Sequence, residues 1–423
     1  MRNQWKKALA FLLSTATLFA TAACGANGNG GSTSSDDGNK KSITLTFSDD
    51  QNDAYKTMAK LYTKETGVKV NIMEVPYSDL NTKISNASKA ADLPDVARVP
   101  QLDPVWMGKL QDLTDLSNKT GVMKSLVTKD SKGKILQMPS DLTAVGMFIN
   151  TSLFDKAGVS YPKSYEESWS WDEFIQAVTT VQKKTGAKYG FVMDPSTHRE
   201  RSFMYSFGSK GVRKQKDGSW ALDNKAKDAL QFLKKIDNDV IMPKSVFASN
   251  ADPSALFKTG QVAAYYSGNW QIADFINSIS SFKWKSVVMP QQPTRATNLG
   301  TSYMVTFSKS GRKFLNWFYQ KKNYTKFCEQ GSYLPATAGI SPVYAQRNED
   351  QQLYLTYINK VADKELASHQ IIVQLQATLA GGTTEEDPMK AHTLKYLTGE
   401  ETLDKAISSM NAGYTSWYNA TDD

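Results

Sequence analysis

The three histidines, His198, His369 and His392, are too widely spaced for the paired ligands of an HExxH zinc site, and no CxxC pair is present. No G-x-S-x-G, Walker A or G-x-G-x-x-G segment follows a strand-like run, so neither an activated serine nor a phosphate cradle is encoded. The chain offers instead short clusters of polar side chains, most of them planar. Ser48, Asp49, Asp50, Gln51 and Asn52 form one; Arg98, Gln101 and Asp103 a second; His198, Arg199, Glu200 and Arg201 a third. Planar polar groups suit hydrogen bonding along the edge of a polar ligand, and aromatic planes suit apolar faces; the chain has 9 Trp, 19 Tyr and 18 Phe, most of which must serve the core. Each cluster also has a plainer reading. Asp50 or Asn52 could cap a helix, Arg98 could pair with a neighbouring carboxylate, and residues 198–201 could be surface charge.

The scaffold for these clusters is readable from periodicity. Ile43, Leu45 and Phe47 alternate with threonines as in a strand, and Ala54, Met58, Leu61 and Tyr62 then recur at helical spacing up to Gly67. Val68, Val70 and Ile72 alternate again, so this is a βαβ unit with a parallel sheet. The loop at 48–52 leaves the carboxyl end of the first strand, where such sheets bind ligands. Ser170 and Glu173 form a capping box for a helix with Phe174, Val178 and Val181 inward, stopped at Gly186 before a strand at 189–193. Ala226, Leu230 and Leu233 predict a helix over 224–236. Cys328 falls in one helical pattern with Phe314, Leu315, Phe318 and Phe327, which predicts a buried, inert thiol.

With 423 residues, 40% hydrophobic and 22% charged, the chain is globular and long enough for two domains. Its net charge of +8 is spread among acidic residues without a basic run, which gives no nucleic-acid footprint. Arg2, Lys6 and Lys7 precede an apolar stretch at 8–20, a secretory signal too short for the ~20 residues of a membrane span. Thr21, Ala22, Ala23 and Cys24 resemble the lipobox of bacterial lipoproteins, in which the cysteine takes a diacylglycerol. At ~0.8 kcal/mol per buried methylene, two acyl chains hold a protein on a bilayer. Glycine, serine and asparagine dominate the following residues, so 24–41 reads as a flexible tether. Lipid on Cys24 leaves Cys328 without a disulfide partner, which suits the outer face of a Gram-positive cell membrane.

Further motifs occur in a fixed order. Pro94, Asp95 and Val96 precede Gly108, Leu110, Asp112 and Leu113; Gly133, Lys134 and Pro139 precede Phe148 and Asn150; then come Leu153, Phe154 and Gly158, followed by Trp171, Asp172, Glu173 and Phe174. Phe257, Gly260, Ala263, Gly268 and Trp270 fit the block F-xx-G-xx-A-xxxx-G-x-W, with Gly331 to Pro335 and the stretch 397–406 as later landmarks. In this order they resemble the extracytoplasmic solute-binding proteins of ABC importers, in the carbohydrate group of the maltose-binding type.

That resemblance implies a periplasmic-binding-protein-like type II fold of the α/β class, two α/β lobes joined by a hinge with the ligand cleft between them. It divides the chain into a signal peptide at 1–23, a tether at 24–41, an N-terminal lobe at 42–146 and 297–345, and a C-terminal lobe at 147–296 and 346–423. It implies crossings near 139–150, 292–300 and 341–351. The expected ligand-binding residues are Asp49, Asp50, Asn52, Arg98, Gln101, Asp103, His198, Arg199, Glu200, Trp270, Tyr303 and Asp387, with Cys24 lipidated. Trp270 falls on the motif tryptophan that stacks on sugar. The implied protein is a monomer without cofactor, metal or catalytic residues, which passes a small oligosaccharide to ABC permease subunits. The alternatives are a secreted glycoside hydrolase with paired carboxylates, or a solute-binding protein for a non-sugar ligand.

Overall fold

The structure, a computed structural model, describes residues 37–249, 251–361, 363–379 and 387–419. The expected signal peptide, the lipidation site Cys24 and tether residues 25–36 lie outside the described residues. Residues 37–41, expected in the tether, are tied to the body. Lys40 Nζ lies 2.7 Å from Asp95 Oδ1, and Lys313 Nζ donates to Asn39 Oδ1 at 3.1 Å. Among the described residues no helix is long and apolar enough to cross a membrane.

The predicted βαβ unit opens the fold: β1 (Ser42–Phe47), the helix Ala54–Thr66 ended by left-handed Gly67, and β2 (Lys69–Glu74) parallel to β1. Ile43, Leu45 and Phe47 are fully buried beside Tyr55, Met58 and Tyr62 of that helix. Adding β3 (Val96–Val99) and β4 (Met138–Pro139), the first sheet runs β2-β1-β3-β10-β4, with β10 (Tyr303–Thr306) antiparallel to both neighbours. A strand from late in the chain thus lies inside the first sheet.

The second sheet is built from β5 (Thr143–Asn150), β6 (Tyr189–Met193), β7 (Val262–Gly268) and β8 (Trp284–Val287) in the order β8-β5-β7-β6, and β9 (Leu299–Gly300) pairs with the start of β5. The Ser170–Glu173 capping box opens the helix Trp171–Thr185 as the sequence predicts, and Asn224–Ile236 is the second predicted helix. The pattern around Cys328 is two helices, Lys309–Phe318 and Lys321–Gly331, because the chain turns at Tyr319 and Gln320; the thiol is buried.

The chain crosses between sheets twice over short distances, from β4 to β5 and from β9 back to β10. An aromatic cluster of Phe148, Tyr265, Phe275, Trp284 and Tyr354 packs with Leu126 and Leu334 from the first-lobe segments, so the crossings rest on a core. Each such buried side chain stabilises by about 1.5–3 kcal/mol. The helix Lys364–Leu379, in a stretch expected in the C-terminal lobe, packs Leu375 in one cluster with Ile84, Ala97 and Trp106 beside the first sheet.

Candidate functional site

The segments that follow β1, β3, β6 and β7 converge on one cavity of about 770 Å³, within the roughly 300–1,000 Å³ of small-molecule sites. Asp49 and Gln51, Gln101, His198 and Arg199, and Asn269 and Trp270 come from those four places. The two crossings add Asp141, Thr143, Asn298 and Thr301, and the helix Lys364–Leu379 closes one side with Gln370, Gln374 and Thr378. The lining is rich in amides and hydroxyls, with Trp270, Tyr77, Tyr303 and Tyr333 as its aromatic side chains.

On the first-lobe side Arg98 is 7% exposed and its cation is balanced by Asp141 at 3.4 Å. It also donates to Ser48 O at 3.1 Å and Ser140 Oγ at 3.3 Å, so the guanidinium is held in place. Asp49 adopts a left-handed backbone with φ of 53°, a conformation Asp tolerates better than most residues. Its carbonyl accepts the Tyr333 hydroxyl at 3.2 Å, while the side chain stays exposed at the cavity.

On the second-lobe side, Arg199 follows Ser196 at the start of the helix Thr197–Ser206. Its Nε donates to Asp194 Oδ2 at 2.9 Å and its guanidinium carbon lies 4.5 Å from the Trp270 ring centroid. Asn298 Nδ2 donates to His198 Nδ1 at 2.6 Å, which places the neutral ring's proton on Nε2, an atom without a hydrogen-bond partner. Burial, then the cations of Arg199 and Arg201, push His198 well below the ordinary imidazole range, so it is an uncharged donor near neutral pH. Gly300 permits the crossing to pass this ring: a Cβ there would stand 2.5 Å from Thr143 Oγ1 and 3.0 Å from His198 Cε1.

The cavity lining thus brings together Asp49, Arg98, Gln101, His198, Arg199, Trp270 and Tyr303 from the expected set. Asp50, Asn52, Asp103, Glu200 and Asp387 lie outside it. Asp50 caps the first helix, accepting from Tyr55 N at 2.7 Å and Lys56 N at 3.1 Å. Asp103 caps the helix Pro104–Met107 through Val105 N at 2.8 Å. Asn52 is exposed, with Asn277 Nδ2 at 3.5 Å and Gln330 Nε2 on its carbonyl at 2.8 Å. Glu200 is buried on the far side of its helix and accepts the Thr393 hydroxyl at 2.8 Å. Asp387 caps the helix Pro388–Thr398 and pairs with Arg201, which itself lines the cavity. The four acids among them are engaged in helix caps, a hydroxyl bond and an ion pair away from the cavity.

Several lining residues were not singled out by sequence. Tyr333 belongs to the Gly331–Pro335 landmark, and that was a usable signal. Gln370 and Gln374 are one helical turn apart, a spacing that marks a shared face without marking what it faces. Tyr77 and Asp141 carry no local pattern; only tertiary folding places them. Tyr265 and Tyr266 belong to different cores, as alternation on a strand requires. Among the described residues no group of three or more His, Cys, Asp or Glu could hold a metal ion.

All three arginines on the lining have a carboxylate of their own: Arg98 with Asp141, Arg199 with Asp194, Arg201 with Asp387. The lining therefore holds no unpaired arginine to draw an anion, and the exposed Asp49 carboxylate adds a negative group to its many donors and acceptors. The profile of the family described as bacterial extracellular solute-binding protein matches residues 57–351. The galactooligosaccharide-binding protein of Bacillus subtilis (strain 168) is 25% identical over 290 residues, 64% of this chain and 65% of that protein. Among solved structures, an ABC transporter solute-binding protein from Thermotoga lettingae bound with α-D-tagatose superposes with a TM-score of 0.70 at 16% identity, over 90% of this chain and 100% of that one. An ABC substrate-binding protein from Listeria monocytogenes in complex with cycloalternan gives 0.67 at 21% identity, over 91% and 99%.

Proposed function

The chain belongs to the bacterial extracellular solute-binding proteins, and from that premise we propose that it is a receptor for a small, uncharged oligosaccharide, which it delivers to the permease subunits of an ABC importer. It has the two-lobed fold of solute-binding proteins solved with the sugars tagatose and cycloalternan. The observation that carries the reading is the cavity lining: amides and hydroxyls beside the Trp270 indole, with each arginine neutralised by its own carboxylate. Named relatives bind galactooligosaccharide and cycloalternan, and both are carbohydrates.

In this reading Trp270 stacks on a sugar face, while Asp49, Gln101 and His198 meet hydroxyls. Arg98 and Tyr303 complete the first-lobe surface; Asp50, Asn52, Asp103, Glu200 and Asp387 support from behind. Closure of the lobes follows the ligand's preference for the closed form. Lipid on Cys24 holds the receptor at the outer face of a Gram-positive cell membrane, as a monomer beside its permease. No catalytic step is assigned, since the relatives are binding proteins and Asp141 is committed to Arg98. Calorimetry and product analysis with oligosaccharide panels test both parts: saturable binding without turnover is expected, and hydrolysis would overturn the receptor reading.

A further inference from the structure

Arg199 and Trp270 both face the cavity, yet their roles differ. The Arg199 guanidinium lies over the indole at 4.5 Å from the ring centroid. It is anchored independently of that ring: Nε and one terminal nitrogen donate to Asp194 Oδ2, and Nη1 donates to Ser196 Oγ at 3.0 Å. Asp194 is 8% exposed and accepts further hydrogen bonds from the Tyr265 hydroxyl and from Ser267 Oγ at 2.6 Å. The plane over Trp270 is therefore tied through a buried carboxylate to β7. Swinging Arg199 aside would leave that carboxylate buried without its cation, a larger loss than a partly exposed cation–π contact can offset.

We propose that Arg199 is a positioning residue: its anchored guanidinium backs one face of Trp270 and fixes the indole so that the opposite face receives the ligand. The proposal rests on the carbohydrate reading of this cavity and adds to it a division of labour. A second contact acts on the same ring, for a Cβ at Gly268 would lie 2.0 Å from the indole. Arg199 over one face, Gly268 at the benzo edge and the tilted His198 ring 6.0 Å away together hold the indole in place.

The test is a double-mutant cycle with Arg199→Lys and Trp270→Ala on the full chain. Lysine keeps a cation for Asp194 and removes the planar group, which limits damage to the fold. Arg199→Lys should weaken binding of the best glycan in the panel about fivefold to tenfold, and by less than about twofold in the Trp270→Ala background. Equal losses in both backgrounds would overturn the proposal. A measurement without ligand decides the same point: the Trp270 indole N–H resonance, identified by its loss in Trp270→Ala, should shift or broaden in Arg199→Lys, and an unchanged line would refute positioning. If the natural chain binds no glycan, the carbohydrate reading fails alone, and the indole resonance still judges Arg199.

Discussion

The Trp270 indole lies so close to Gly268 that a Cβ on that glycine would stand 2.0 Å from the ring and 2.7 Å from the Ala144 carbonyl. Two residues of one sequence motif are thus in contact, and the small one sets where the large one rests. Gly268→Ala should push the indole from its place, with a stability loss of about 1–3 kcal/mol typical of overpacking. Affinity for the preferred sugar should fall at least about tenfold, from that displacement together with the contact it removes. Unchanged affinity in calorimetry would show that the indole's position does not matter to binding.

Truncating the ring itself separates recognition from folding. Trp270 is half-buried, so Trp270→Ala should change the melting temperature of the unliganded protein little. Affinity should drop about thirtyfold or more, matching the ~2 kcal/mol of a buried aromatic anchor. A strongly lowered melting temperature with intact affinity would instead make Trp270 a structural plug.

Glu200 predicts a pH effect on stability. It is 3% exposed, and burial pushes its carboxyl up to about 7, against the opposing pull of the Thr393 hydroxyl and the Arg201 cation. Between about 4.5 and 7 the folded protein holds a proton that the unfolded chain has released. Its contribution is therefore full below 4.5 and is lost as pH rises through 7, at up to roughly 1.4 kcal/mol per pH unit. Glu200→Gln should remove that dependence and so gain on the natural chain in denaturant midpoint from pH 5 to pH 8. Parallel midpoint profiles would show that Glu200 is charged when folded.

Cys24→Ser should release the protein from the membrane, because the thiol is the lipid acceptor that the sequence offers. Detergent-phase partitioning of the two forms reads this directly, and retention of both would dismiss lipid anchoring through Cys24.

Local patterns carried much of this fold. The βαβ start, the Ser170–Glu173 capping box and the buried Cys328 were legible because alternation, capping and helical spacing act within a few residues. The placing of acids was less legible. Asp50, Asp103 and Asp387 begin helices and Asp49 faces the cavity, yet capping and ligand binding call for the same carboxylate. Arg98 and Asp141 meet across 43 positions, and the helix Lys364–Leu379 reaches both lobes, so both depend on tertiary contacts that periodicity does not encode.

Titrating the purified chain in a calorimeter with neutral oligosaccharides, and with matched oligosaccharides carrying a uronate, reads directly what this cavity accepts. Saturable one-to-one binding of a neutral member is expected, with weaker binding of its acidic counterpart, because the arginines facing the cavity are already neutralised. Tighter binding of the acidic series, or no binding of any neutral oligosaccharide, would contradict the proposed function.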